Sequence, residues 1–360
     1  MINIYSSFRS ITDINSAKKF VEDVKWLDVD NVLLLTKNTK SKVMYYSDIA
    51  PYDENAASLY GEVTDYLKSE GIGIHAWLCL FHESLENPSP VVKNNPDIVL
   101  VNKYFKSNFD EPTWSDVAPK YSTLWICPSS EIYINYLKDI IREVVTNFKI
   151  DGIHFDYVRY PEAVEGRYYC YCKRCLKNFK EKYGFSFPTR EVIEIRYFVS
   201  VLTDNVTNAV KELSYTSKKF GKQVSAYVFT DYVTAIECCY QDWPYFSRYL
   251  DFLIPTLYEV SPEYAGVLVE RARSVTSKKC KIMPAIYANT VVRRSQKGGL
   301  RWSQKRDAEY IISLVKAIYD NGGDGVSLFL YDTLFNPNRP GGFPRKELIK
   351  LKKYLNDIES

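Results

Sequence analysis

The chain has 360 residues, of which 46% are hydrophobic, so it can bury a large core, and one elaborated barrel domain fits this length. The formal net charge is only +3, and the composition therefore gives no reason to expect nucleic acid or a membrane as a partner. The chain begins with no basic leader before an apolar run, and no apolar stretch is long enough to span a bilayer. These features predict a cytoplasmic protein, although a chain from which a leader had been removed would look the same.

Short apolar strands alternate with helical stretches in the first part of the chain. We predict strands at residues 2–7, 31–36 and 72–79, and helices at 16–26, 56–69 and 130–148. Because alternate side chains of a strand face opposite ways, His75 and Trp77 are expected near the top of a barrel lumen. Residues 80–122 form a long connection rich in Pro, Asn and Ser, and loops of this length are usually functional or lid-like.

A fourth strand is predicted in the run Asp-Gly-Ile-His-Phe-Asp-Tyr-Val-Arg-Tyr-Pro, residues 151–161. Apolar Ile153 and Phe155 alternate with His154 and Asp156, so one face suits packing under helices and the other points into a lumen. A (β/α)8 barrel keeps its catalytic groups at the C-terminal ends of its strands, where Asp156 would lie. The alternative is an Asp that merely hydrogen-bonds the next turn.

The second part of the chain continues the alternation. After a Cys-rich segment that reaches residue 183 and a long helix from residue 190, strands are predicted at 224–231, 251–258, 281–287 and 325–331, followed by a closing helix at 344–358. Eight strands favour a closed (β/α)8 TIM barrel of the α/β class, forming a single domain over residues 1–360. It would carry a long insertion after strand three and a Cys-rich insertion after strand four. Asp151-Gly152 and Asp324-Gly325 precede strands four and eight alike, which predicts both acids at the face of the barrel opposite the catalytic one.

Three of the eight cysteines, Cys170, Cys172 and Cys175, fall within six residues. Such spacing lets one loop place three thiolates around a tetrahedral ion, as a structural zinc site requires. We expect Cys127, in Cys-Pro-Ser-Ser, as the fourth ligand, with Cys238 or Cys239 as the alternative. Free thiols or a disulfide are the other interpretations, and a disulfide is disfavoured in a cytoplasmic protein.

The run at residues 151–161 resembles the strand-four signature of the glycoside-hydrolase-like barrel proteins, in which the strand ends on an acid. Weaker points of match are Gly73-Ile74-His75-Ala76-Trp77, Cys127-Pro128-Ser129-Ser130, Gln241-Asp242-Trp243 and the run at residues 251–255. The four cysteines resemble the zinc cluster of family forty-two β-galactosidases. Many relatives carry two consecutive acids at the strand tip, and Tyr157 takes the second place here.

The resemblance implies hydrolysis of a glycosidic bond, which generally uses two carboxylates. Asp156 is the first. Strand seven has no acid at its tip, which argues against the nucleophile arrangement of the β-galactosidase clan. The partners considered are Glu259, ranked first, then Asp231, with Asp332 just beyond the tip of strand eight; each of them could instead be a solvated loop acid.

A sugar pocket is expected around Asp156. Aromatic residues make up 15% of the chain, with 30 Tyr, and flat rings with a polar edge suit sugars, although a composition bias explains many of them equally well. Arg159 is expected to hold Asp156 ionised or to grip the substrate. The remaining pocket residues are predicted to be His75, Trp77, Tyr258, Tyr287 and Tyr331.

A basic loop at residues 289–306 follows strand seven on the catalytic face, where barrels often bind phosphate. A solvated loop is the simpler interpretation of its cations, and recognition of an anionic sugar the sharper one; they are Arg293, Arg294, Lys297, Arg301, Lys305 and Arg306. The sequence as a whole predicts a glycoside hydrolase with a structural zinc, acting on an oligo- or polysaccharide, and leaves open whether its chemistry is retaining, which we favour, or inverting. The alternatives are a carbohydrate-binding barrel that has lost one catalytic acid, and a barrel enzyme of other chemistry.

Overall fold

Eight parallel strands form the centre of the fold. The computed structural model describes residues 1–111, 113–114, 122–162, 169–186, 192–288, 291–294, 300–304, 307–336, 338 and 342–359. We label the barrel strands β1 (Ile2–Ser6), β2 (Asn31–Lys37), β3 (Gly73–Cys79), β4 (Gly152–Asp156), β5 (Gln223–Val228), β6 (Phe252–Pro255), β7 (Lys281–Ile282 continued by Ala285–Tyr287) and β8 (Val326–Phe329).

The sheet closes through the two pieces of β7. Its first piece pairs in parallel with β6 and its second with β8, while β8 pairs with β1 and each further strand pairs with the next along the chain. Thr256, just after β6, forms a parallel bridge to Ala285, and the backbone nitrogen of Leu257 donates to the oxygen of Ala285 over 2.8 Å. The predicted (β/α)8 TIM barrel is therefore confirmed.

Helices follow the strands and cover their outer face. Their bounds are Ile14–Trp26, Glu54–Ser69, Pro90–Asn94, Glu131–Asn147, Lys173–Tyr183, Val192–Lys219, Tyr232–Cys239, Trp243–Phe246, Pro262–Val275, Ala308–Asp320, Tyr331–Leu334 and Arg345–Glu359, with a 3-10 turn at Pro96–Ile98. Side-chain caps start several of them: Asp53, for example, accepts from the backbone nitrogen of Ala56, which satisfies a donor that the helix leaves unpaired. None of the described helices has both the length and the apolar character that crossing a membrane requires.

The connection from β3 to the helix Glu131–Asn147 has a small sheet of its own. Its strands His82–Ser84, Thr113–Trp114 and Ser122–Trp125 pair antiparallel, with the last one in the middle. This sheet brings His82 and Trp125 next to each other, with ring centroids 5.1 Å apart. The connection therefore places aromatic side chains beside the chain segment that follows β4.

Two buried layers result from the alternation along the strands. On β1, Ile2 and Ile4 face the helices, whereas Tyr5 faces the lumen. The Tyr5 hydroxyl lies 3.0 Å from Nε2 of His154, and Nδ1 of His154 lies 2.8 Å from the hydroxyl of Ser225. His154 is therefore a lumen residue whose two ring nitrogens both have partners.

Four aspartates at the N-terminal face tie odd strands to even ones. Each stands one or two residues before an even-numbered strand and accepts from a backbone nitrogen at or next to the start of the preceding odd strand. The pairs are Asp30 with Ile2 (2.6 Å), Asp151 with Ile74, Asp251 with Val224 and Asp324 with Ile282 (2.8 Å each). These carboxylates satisfy donors that the sheet ladder leaves unpaired, so they stabilise the fold at the end opposite to Asp156.

Candidate functional site

A cavity of about 870 Å³ lies at the C-terminal ends of the strands. Asp156, at the tip of β4, lines it, as do residues that end or follow the other strands. Five of the residues predicted for the site are among its lining: Trp77, Asp156, Arg159, Tyr258 and Tyr287. The cavity thus lies where the barrel architecture places reactive groups.

The carboxyl group of Asp156 is buried, with 8% of the residue exposed, and is held at both oxygens. Nε1 of Trp77 donates to Oδ2 over 2.9 Å, Sγ of Cys79 donates to the same oxygen over 3.9 Å, and the backbone nitrogen of Tyr157 donates to Oδ1 over 2.6 Å. Burial raises the pKa of Asp156 above its ordinary value, although the bonds from Trp77 and Tyr157 and the charge of Arg159 act to lower it. A buried carboxyl with a raised pKa, oriented by fixed donors, suits proton transfer to a leaving group.

Tyr157 turns the chain sharply after Asp156. Its φ of 51° lies in the left-handed region, which is uncommon for a bulky side chain and recurs at functional sites. Its ring packs against His82 and Trp125, with centroids 4.9 and 5.7 Å apart, and the guanidinium of Arg159 lies 5.4 Å from the ring centroid. The Tyr157 side chain therefore joins an aromatic and cationic cluster at the cavity.

An aromatic wall faces the space beside Asp156. Tyr258 and Tyr287 stack with ring centroids 3.7 Å apart, and Phe329 lies 5.4 and 5.7 Å from them. Tyr227 extends the wall, 6.1 Å from Tyr258. Stacked rings of this kind present an apolar surface with polar edges, which suits the faces of sugar rings.

The two acids ranked as partners of Asp156 are not brought to the cavity. Glu259 is exposed and is not among the cavity lining, because β6 ends at Pro255 and it is Tyr258 that faces inward. Asp231 caps the helix Tyr232–Cys239, accepting from the nitrogen of Val233 over 3.2 Å, and lies 3.5 Å from Arg271. Asp332, the third option, is buried and accepts from the hydroxyl of Ser7 over 3.2 Å.

Two predicted pocket residues also lie elsewhere. His75 is fully buried below the cavity, where its ring packs against Gly152 and lies 5.6 Å from Phe252. Tyr331 begins a short helix and faces the outer layer, with its hydroxyl 3.0 Å from Oδ2 of Asp23. The expectation that these two line the pocket is corrected, because β8 ends at Phe329 and because His75 sits too deep in β3.

Several cavity residues are not indicated by the sequence patterns. They follow β1 and β2 at the same end of the barrel, and their position after a strand is the one available signal; they include Phe8, Arg9, Lys40, Lys42 and Asp53. In the basic loop after β7, the backbones of Val291–Arg294 and Leu300–Gln304 pair antiparallel. The side chains of Arg293, Arg294 and Arg301, together with Lys297, Lys305 and Arg306, lie outside the part of the chain that the structure describes.

Four buried cysteines meet beside the barrel. The Sγ atoms of Cys127, Cys170, Cys172 and Cys175 all lie within 4.8 Å of one another, and none of the four is in a disulfide. Sγ of Cys127 is 3.5 Å from that of Cys175 and 3.8 Å from that of Cys172. Tetrahedral zinc with Zn–S bonds of about 2.3 Å requires sulfur pairs about 3.8 Å apart, so this donor set fits such an ion.

The cluster joins the two long connections. Cys127 follows the strand Ser122–Trp125, whereas the other three cysteines follow β4. Polar groups surround the sulfurs: the nitrogen of Val101 donates to Cys170 over 3.2 Å, and Nδ2 of Asn205 donates to Cys175 over 3.5 Å. Such donors stabilise thiolates and orient metal ligands.

A comparison of the sequence with known protein families gives a match over most of the chain. The sequence model of the family described as Glycosyl hydrolase-like 10 matches residues 5–312. No curated protein sequence matches the chain.

Solved structures share the fold over the whole chain. The PgaB (BpsB) glycoside hydrolase domain from Bordetella bronchiseptica is 13% identical with a TM-score of 0.71, and 98% of each chain is covered. The catalytic domain of beta-amylase from Paenibacillus polymyxa is 14% identical with a TM-score of 0.68, over 100% of this chain and 98% of that one. Alpha-L-fucosidase isoenzyme 2 from Paenibacillus thiaminolyticus is 14% identical with a TM-score of 0.65, over 99% of this chain and 49% of that one. At these identities the likeness shows the fold alone.

Proposed function

This chain belongs to the glycosyl hydrolase-like 10 family, and we propose that it hydrolyses glycosidic bonds in an oligo- or polysaccharide. The observation that carries the proposal is the buried carboxyl of Asp156, held by Trp77 and facing a cavity with an aromatic wall. In the proposed reaction a sugar ring lies against Tyr258 and Tyr287. Asp156 then either protonates the leaving oxygen as the glycosidic bond breaks, or attacks the anomeric carbon to form a glycosyl ester that water hydrolyses. The charge of Arg159 favours the ionised form of Asp156, the form that a nucleophilic carboxylate needs.

A second carboxylate is part of the proposal. Among the described residues, Asp53 is the other acid that lines the cavity, and we therefore place it ahead of Glu259 and Asp231. Either of the latter two would have to approach Asp156 when substrate binds. Because Asn caps a helix as well as Asp does, Asp53→Asn removes the charge and keeps the cap. Comparing the turnover of Asp53→Asn, Asp231→Asn and Glu259→Gln ranks the three acids.

The experiment for the function is a panel of aryl glycosides and polysaccharides tested against wild type and Asp156→Asn. We expect wild type to release product from at least one member, and Asp156→Asn to lose turnover while it folds and binds the same sugar. Turnover that survives in Asp156→Asn would remove this residue from the mechanism.

A carbohydrate-binding barrel without catalysis is the second candidate. The observation that favours it is the ring of Tyr157, which is committed to contacts with His82 and Trp125. In many of the barrel proteins that the sequence resembles, a second acid takes this place. Saccharide binding by wild type without hydrolysis of any panel member would support it.

We also propose that Cys127, Cys170, Cys172 and Cys175 hold a structural zinc ion. The support is the fit of the sulfur distances to a tetrahedral ion and the burial of all four side chains. When bound, zinc would supply a crosslink between the two connections, without taking part in the reaction.

We propose one barrel domain over residues 1–360, in which the helix Arg345–Glu359 closes the structure by burying Leu348, Leu351 and Leu355. The cytoplasmic location and the lack of a nucleic-acid partner stay predictions.

A further inference from the structure

One side of the cavity carries positive charge that the proposed reaction does not use. Arg9 follows β1, and Lys40 and Lys42 follow β2; all three line the cavity, and we refer to them as the cationic wall. None of the three is in an ion pair with any residue that the structure describes. Arg9 and Lys40 are exposed and Lys42 is half-buried, so their charges are available to a ligand in the cavity.

Hydrogen bonds fix the backbone of the turn that bears the two lysines. Oδ1 of Asn38 accepts from the backbone nitrogens of Lys40 and Lys42 over 2.8 and 3.1 Å, and the nitrogen of Asn38 donates to the oxygen of Lys42 over 2.9 Å. Ser41 has a φ of 66°, and its hydroxyl accepts from the nitrogen of Ser84 over 2.9 Å. These bonds fix the backbone of the turn, so both lysine side chains start from defined positions at the cavity, as a binding site requires.

Nearby acids do not neutralise the wall. Asp53 also lines the cavity and caps the helix Glu54–Ser69, but it is a single carboxyl group against the three cations of the wall. Glu83 is buried and lies 3.3 Å from the equally buried Lys37, so that pair cancels its own charge. The wall therefore keeps a net positive charge inside a cleft, where attraction to an anion is stronger than in open water.

We propose that the cationic wall binds an anionic substituent of the saccharide, a carboxylate, phosphate or sulfate group, and so selects acidic over neutral glycans. This proposal rests on the proposed function, since it assumes that a saccharide occupies the cavity beside Asp156. Ammonium and guanidinium groups form charge-assisted hydrogen bonds with all three anions, which are stronger than bonds between neutral groups.

The test is a binding measurement on an array of neutral, uronate-containing, phosphorylated and sulfated glycans. It uses the Asp156→Asn variant, so that binding is read without hydrolysis. We expect acidic glycans to be bound, and Lys40→Gln combined with Lys42→Gln to weaken them by about tenfold or more. Raising the salt concentration should weaken the acidic glycans in the same way, because exposed charges are screened. The class of acidic glycan that the protein binds most tightly identifies the anionic group.

The matched control removes two charges elsewhere. Lys278 and Lys279 are exposed and precede β7, at the opposite end of the barrel, so Lys278→Gln with Lys279→Gln should bind as the parent does. The proposal is overturned if neutral glycans are bound best, if no acidic glycan binds, or if the Lys40 and Lys42 changes leave acidic glycans unaffected. Hydrolysis of a neutral glycan by wild type would then leave the proposed function standing, so the two failures are distinguishable.

Discussion

Nε1 of Trp77 on β3 donates a 2.9 Å hydrogen bond to Oδ2 of Asp156 on the neighbouring β4. A bond to the ionised carboxylate opposes the effect of burial, which raises the pKa of this acid. The same indole lines the cavity, so it positions Asp156 and forms part of the pocket surface.

Trp77→Phe should move the titration of Asp156 to higher pH, because it removes a donor and keeps an aromatic ring. We expect the limb of the pH–rate profile that reports Asp156 to move up by about one pH unit, with activity at the optimum reduced by about tenfold. The measurement is kcat/KM against pH on a substrate from the panel.

Trp26→Phe is the matched control for this prediction. Trp26 ends a helix on the outside of the barrel, where its ring contacts Arg345, so its replacement should leave the profile unchanged. An unshifted limb in Trp77→Phe would mean that the indole does not govern the protonation of Asp156.

The three histidines should make the protein sensitive to mild acid. Burial lowers the pKa of His75 to about 4 and that of His82 to about 4, and it lowers the pKa of His154 well below its usual value. The unfolded chain takes up these protons near pH 6.5, so their stability contribution is complete above pH 6.5 and is lost as the pH falls towards 4. Asp156 has the opposite effect on stability. Because its pKa is raised in the folded protein, the folded state gains stability as the pH falls and this carboxyl group takes up its proton.

Urea unfolding between pH 7 and pH 4.5 measures this effect. We expect the free energy of unfolding to fall by about 2 kcal/mol or more for each histidine near the lower limit. His75→Gln, which cannot titrate in this range, should reduce the slope by about a third. A flat profile between pH 6.5 and 4.5 would show that the folded protein binds these protons as readily as the unfolded chain.

The strands and the cysteine cluster are predictable because their signals are local. Alternating apolar residues place β4 to within a residue, and the spacing of Cys170, Cys172 and Cys175 by itself indicates a shared centre. The ends of the strands are harder to predict from the sequence. Alternation continues past the last ladder bond, so the sequence predicts a β8 that reaches Tyr331, whose hydroxyl in fact contacts Asp23 in the outer layer.

The parts of the site that lie on loops cannot be predicted from periodicity. Lys40 and Lys42 belong to a turn held by Asn38, and no repeating pattern indicates such a turn. Asp151 and Asp324 are predicted at the N-terminal face because each precedes a Gly, whereas Asp30 and Asp251 have the same role without that signal.

The buried ion pair of Lys37 and Glu83 should fix the connection after β3 to the barrel. Both side chains are fully buried, Nζ of Lys37 also donates to the oxygen of Cys79 over 2.9 Å, and Tyr133 donates to Glu83 over 2.6 Å. Burial acts to raise the pKa of Glu83, but Lys37 and its hydrogen bonds outweigh it, so the pKa lies below its usual range. Glu83 is therefore ionised in the folded protein.

Glu83→Gln should destabilise the fold by about 3–5 kcal/mol, because it leaves the ammonium of Lys37 buried without a counter-charge. Adding Lys37→Met should recover part of that loss, since no buried charge then remains. Urea unfolding of the wild type, both single variants and the double variant gives the coupling energy. Losses that simply add would contradict a direct interaction.

The cysteine cluster should bind a metal ion in solution. Purified protein should contain about one zinc ion per chain, and Cys172→Ser should lose it together with part of its free energy of unfolding. The cluster joins the connections that carry Trp125 and Arg159, and the guanidinium of Arg159 lies 5.2 Å from the Trp125 ring. Metal loss should therefore also loosen the cavity rim, which hydrogen exchange at residues 122–127 would report.

Cys238→Ser is the control for the metal, because Cys238 is a free, half-buried thiol outside the cluster. Elemental analysis should find zinc unchanged in this variant and absent from Cys172→Ser. The effect of Cys172→Ser must also differ from that of a lost disulfide, so non-reducing mass spectrometry of the wild type should find all four thiols unpaired. A full zinc content in Cys172→Ser, or a bond between Cys170 and Cys175, would rule out a zinc ion bound by four thiolates.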